Sequence, residues 1–128
     1  MKKLILLCVC FLSIHSIAQD TTKTKPKEYI GVLALTEKYK IEKNWTPKDQ
    51  AIVGEHFQRL VKMKDEGIVV LAGRTQYDLN NADMMGIVIF YATDDKGALQ
   101  FMMDDPAVKN NIMQTKVHPY SIAVNKCN

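Results

Sequence analysis

Four short apolar runs alternate with two stretches that carry apolar residues at helical spacing, and this order restricts the fold more than any single residue does. Tyr29 to Leu35 (YIGVLAL), Ile68 to Gly73 (IVVLAG), Met84 to Tyr91 (MMGIVIFY) and Met113 to Val124 (MQTKVHPYSIAV) have the length and the β-branched and aromatic content of strands. Pro119 confines the last of them to an edge or a bulge, because proline cannot donate to a ladder. Between the first two runs, Thr46 can cap, Pro47 fits the first helical position and Asp49 sits near the positive helix end. That spacing predicts a helix to Glu66, stopped by Gly67. At about 100° per residue, Ile52, Val53, His56, Leu60 and Met63 share one stripe, with Phe57 at its edge. Glu55, Gln58, Arg59, Lys62, Asp65 and Glu66 are expected on the opposite, solvated face.

Thr93-Asp94-Asp95 caps a second helix whose apolar side is Ala98, Leu99, Phe101 and Met102. Asp104-Asp105-Pro106 breaks it, since the residue before a proline resists the α region. A helical turn from Pro106 to Asn110 follows, with Asp105 as its cap. Thr36 to Trp45 is expected as a polar surface connection, and Arg74 to Asp83 as a polar hairpin loop. The order is therefore β-α-β-β-α-β, the split βαβ or ferredoxin-like arrangement. It predicts an α+β fold: one antiparallel four-stranded sheet with two helices on one face. The strands are apolar on both sides, so the other face also needs cover, and a second copy placed sheet to sheet is the simplest.

The first residues stand apart. Met1-Lys2-Lys3 is a basic head, Leu4 to Leu12 an apolar run too short to span a bilayer, and Ser16-Ile17-Ala18 supplies the small residues a signal peptidase reads. Residues 1–18 are expected to be a signal peptide cut between Ala18 and Gln19, sending the protein to the periplasm or outside the cell. Residues 19–27 would form a flexible leader and residues 28–126 the domain. Loss of Lys2 and Lys3 leaves 15 basic against 14 acidic residues, a net +1. That balance gives no reason to expect nucleic acid or a membrane surface as partner. Cys8 and Cys10 would leave with the signal, so Cys127 could form no internal disulfide. No metal is expected, because the processed chain keeps two histidines and one terminal cysteine without short ligand spacing. No glycine-rich phosphate loop occurs either, and no cofactor is expected.

His56 is the residue out of place, a titratable ring inside an apolar stripe. Burying such a ring unpaired costs about 1–3 kcal/mol, so it needs a partner. One reading is a core histidine bonded to backbone. The other pairs it with Asp105, which lies four residues after Phe101 and three after Met102 and so leaves the second helix on its sheet-facing side. Capping and pairing are compatible, because a carboxylate has two oxygens. A carboxylate beside an imidazole fixes its tautomer and raises its basicity, while burial lowers it, which suits general acid/base work near neutral pH. No serine or cysteine is placed as a nucleophile, so proton transfer is expected over acyl transfer. Arg74 can offer a cationic fork to an anionic substrate, or be a solvated loop residue. His118 and Tyr120, near the end of the last strand, are candidates for the rim of a substrate cavity or for structural roles.

The segments GEHFQRLVKMKDEGIVVLAGR, YATDDKGALQFMMDDPAVKNN and VHPYSIAV resemble the YciI-like (YCII-related) domain. Their shared pattern is a histidine in the first helix, a glycine closing it, a strand ending in glycine, and an Asp-Pro closing the second helix. The resemblance covers roughly Glu28 to Lys126. It implies a dimeric α+β barrel of ferredoxin-like protomers and an active site centred on a His–Asp pair, which falls on His56 and Asp105. The activity of the family is mostly unassigned, with elimination of a lyase-like or dehydrochlorinase-like kind suggested for some members. The chain departs from the family in its export signal and in the long connection before the first helix. The expectation is an exported homodimer acting on a small molecule, against the alternative of a ligand-binding or structural dimer without catalysis.

Overall fold

The inner strand β1 (Lys27–Leu35) alternates between buried and half-buried residues along its length. Tyr29, Leu33 and Leu35 turn into the core, while Ile30, Val32 and Ala34 turn to the other side of the sheet. The computed structural model describes residues 25–125. The expected signal segment, the leader up to Thr24 and Cys127 lie outside the described residues. Around β1 are α1 (Pro47–Asp65), β2 (Val69–Arg74), β3 (Gly86–Ala92), α2 (Asp95–Met103), the short α3 (Pro106–Lys109) and β4 (Met113–Pro119). All pairings are antiparallel, in the order β2-β3-β1-β4. This is the expected α+β, ferredoxin-like topology. Among the described residues no helix is long and apolar enough to cross a membrane.

α1 starts and stops where its chemistry dictates. The Thr46 hydroxyl accepts from the Asp49 N–H, and the Asp49 carboxylate accepts in return from the Thr46 N–H, a reciprocal capping box. At the other end Gly67 takes φ +76°, a conformation costly for side chains with a Cβ, and Ile68 N–H reaches back to Met63 O. α2 packs on the sheet through Ala98 and Met102, both buried against Tyr29, Val88 and Phe90. A second cluster joins Leu35, Tyr39, Ile52, Ala107 and Ile112.

Two expectations are corrected, and one feature of β2 had no counterpart in the sequence. The connection from Thr36 to Trp45 is not merely a surface crossing. It forms two 3₁₀ turns, buries Tyr39 and ties the tyrosine O–H to Asp49 Oδ1 at 3.0 Å. Trp45 packs edge-on against that ring and donates to Tyr39 O at 2.9 Å. β4 ends at Pro119 rather than Val124, where the proline offers no N–H. Beyond it, Tyr120 N–H bonds Glu28 O and Ile122 N–H bonds the Glu28 carboxylate. Finally, β2 contains a register shift between Val69 and Leu71. Val69 pairs with Phe90, Leu71 with Ile89 and Arg74 with Gly86, so Val70 is an extra residue. One extra residue exchanges the two faces for the rest of the strand.

Candidate active site

His56 stands on the sheet-facing side of α1, and its Nδ1 lies 2.8 Å from Asp105 Oδ2. The side chains are 12% and 2% exposed. Asp105 is held there by its local sequence. It is the N-cap of α3, Pro106 occupies the first helical position, and Oδ1 accepts the Ala107 N–H at 2.9 Å. One oxygen caps the helix while the other faces the imidazole, so both readings of Asp105 describe the same residue.

Arg59 completes the cluster, and the sequence reading placed it wrongly among the solvated residues. Its Nη1 lies 3.4 Å from Asp105 Oδ2, its Nη2 donates to Phe101 O at 2.7 Å, and the guanidinium stacks 4.4 Å over the Phe101 ring. A long side chain one turn beyond His56 can wrap around the helix and leave only 19% of itself exposed. The spacing of three residues from His56 is the signal that could have found it.

Burial pushes the Asp105 carboxyl upward. The His56 hydrogen bond and charge, the Ala107 N–H and the nearby Arg59 together outweigh burial and hold it below the usual carboxylate range. Asp105 is therefore an acceptor at neutral pH, and Nδ1 of the ring must carry the proton between them. In the neutral ring the lone pair then belongs to Nε2. Nε2 bonds no described residue, and Thr115 Oγ1 is the sole buried side-chain polar atom without a partner among the described residues. Nε2 thus reaches accessible space.

His56 also lines a cavity of about 500 Å³ between α1 and the sheet, together with Phe57 and Leu60 from the helix and Leu33, Val88 and Arg74 from the strands. The volume is in the range of small-molecule sites. Its charged lining residues are Lys64 and Arg74, and none is acidic. Arg74 shares the helix side because of the β2 bulge: it pairs with Gly86, which pairs with Leu33. His118 and Tyr120 do not join this group. His118 pairs with Ile30 and is exposed on the opposite face of the sheet. Tyr120 borders a smaller hollow of about 350 Å³ there, beside Ile30 and Ile89. Of the five residues expected at a site, the fold brings His56, Asp105 and Arg74 to the helix side of the sheet and puts His118 and Tyr120 on the other, where Arg74 also borders the hollow beside Tyr120. Among the described residues no cluster of three or more His, Cys, Asp or Glu could hold a metal ion.

A family model described as the YCII-related domain matches residues 21–121. No curated protein matches the chain.

Proposed function

The chain belongs to the YCII-related domain family, and on that premise we propose that it is an exported small-molecule enzyme in which His56 transfers protons. The observation that carries this reading is the polarity of the ring: Nδ1 is tied to a buried carboxylate at 2.8 Å, Nε2 bonds no described residue, and His56 lines the cavity. Nε2 takes a proton from an activated carbon of the substrate, and Asp105 stabilises the imidazolium that forms. The electron pair left on carbon becomes a new π bond. In a lyase reaction a leaving group departs with its bonding pair and receives the proton from His56; in an isomerisation the proton returns at another carbon. Arg59 holds Asp105 in place and acts through it. Export is supported by the basic head, apolar run and small residues of the first 18 positions. A homodimer is supported by the apolar residues on the sheet face away from the helices, where Leu71 is 48% and Tyr91 39% exposed.

The test is solvent deuterium exchange, followed by NMR, into a panel of small carbon acids mixed with the purified protein. Exchange should be catalysed by the wild type and fall by about 10²–10⁴-fold in His56→Ala. Undiminished exchange in that variant would remove His56 from the chemistry. A ligand that binds the cavity without exchange or turnover would make the protein a binding module instead.

A further inference from the structure

The charge pattern of the cavity names a class of ligand, and the inference rests on the cavity being the reaction site proposed above. Most of the lining is aliphatic or aromatic. An apolar wall rejects polar groups that find no partner there, because each would lose its hydration without compensation. Three side chains break the apolar lining: His56, Lys64 and Arg74. Lys64 is more than half exposed and pairs with its neighbour Asp65 at 2.9 Å, so it reaches the cavity only from solvent. Arg74 is different, because no carboxylate forms an ion pair with it among the described residues. It also sits where the two hollows meet, since Arg74, Gly73, Leu71 and Ile87 border both. The cavity thus has an apolar interior, His56 on one wall and one guanidinium without a carboxylate partner at its strand-edge rim.

We propose that the cavity takes a small carboxylic acid with an apolar body, the carboxylate gripped by Arg74 and the body lying among Leu33, Leu60 and Val88. The planar guanidinium matches the planar carboxylate in a two-point contact, which neither an amide nor an alcohol reproduces. The second lining cation, Lys64, already faces Asp65 at the solvent side, so the fitting ligand carries a single negative charge. The bulge in β2 is the structural cause: without Val70 as an extra residue, Arg74 would fall on the opposite face of the sheet.

The experiment measures binding by NMR titration, with benzoate, phenylacetate and 3-phenylpropanoate as probes and their primary amides as neutral counterparts. At least one acid should bind with shifts confined to cavity residues, and its amide should bind at least about tenfold more weakly, the cost of one lost charge-assisted contact. Arg74→Gln should bring the acid down to the level of the amide and leave the amide unchanged. Added salt should weaken the acid alone, because Arg74 is exposed. His56→Gln should keep the preference for acid over amide, so a failure of catalysis and a failure of this recognition are read separately. The proposal is overturned if acid and amide bind alike, if Arg74→Gln keeps the preference, if His56→Gln abolishes it, or if no acid perturbs the cavity.

Discussion

Asp105 answers three donors at once: the Ala107 N–H on Oδ1, and the His56 ring and Arg59 guanidinium on Oδ2. Removing it strands a ring and a guanidinium that are mostly buried, which costs more than the pair itself contributes. Asp105→Asn should lower stability by about 3 kcal/mol or more near neutral pH, measured by urea unfolding. The pH dependence follows from the direction of its shift. The folded carboxyl titrates below its unfolded value of about 3.9, so its contribution is complete above that value and is lost as pH falls through the folded one. The gap between wild type and Asp105→Asn should therefore narrow as the pH drops below about 4. A gap unchanged down to about pH 2 would show that folding does not shift the titration of this carboxyl, and a gap that widens toward about pH 4 would show that it is protonated in the fold. The pairing of His56 with Asp105 was legible because a polar group inside an apolar stripe demands a partner. Arg59 escaped because helical spacing locates a Cβ, whereas a side chain this long chooses its destination from what surrounds it.

At the level of elements, β1 and α2 touch through the smallest residue available. A Cβ built on Gly31 would stand 2.6 Å from Met102 Cε and 2.7 Å from Met102 Sδ. Met102 is itself buried, so it has little room to retreat. Gly31→Ala should destabilise by about 1–3 kcal/mol through overpacking. Gly54 gives the opposite sign. It lies inside α1 and a Cβ there meets nothing within 4 Å, so Gly54→Ala should stabilise by about 0.5–1 kcal/mol. Thermal unfolding of the two variants side by side checks both, and shifts of the same sign would contradict this packing. α1 could be read almost to the residue, since its cap, its N1 proline and its closing glycine all act within a few residues of chain. The end of β4 was misplaced because strand pairing depends on a partner far away: past Pro119 one more backbone bond reaches Glu28 O, and Ile122 N–H then turns to the Glu28 carboxylate.

For the molecule as a whole, the unresolved demand is the sheet face away from the helices. Ile30, Val32 and Ala34 of β1 are half-buried there, beside Ile87 and Ile89 of β3. His118 and Tyr120 lie on the same face, so a second copy seated on it would bring them to the subunit boundary. Sedimentation of the wild type at micromolar concentration is expected to give a dimer. Ile30→Lys should shift it to monomer with an unchanged far-ultraviolet circular dichroism spectrum, because a charge at the centre of an apolar contact must be desolvated on pairing. A wild type that stays monomeric at high concentration would mean that something other than a second copy covers this face.

The order of elements, the limits of α1 and the need of His56 for an acidic partner were all determined by the sequence, because each rests on interactions that close within a few residues or on a side chain in plain conflict with its face. Three matters were decided only in three dimensions. Arg59 turned inward because Phe101 and Asp105 offered it a ring and an oxygen. Tyr39 was buried because Asp49 and Trp45 closed around it. Arg74 reached the cavity side because β2 slipped by one residue against β3. Strand register and the path of a long side chain are set by surfaces assembled from distant parts of the chain, and no local pattern encodes them.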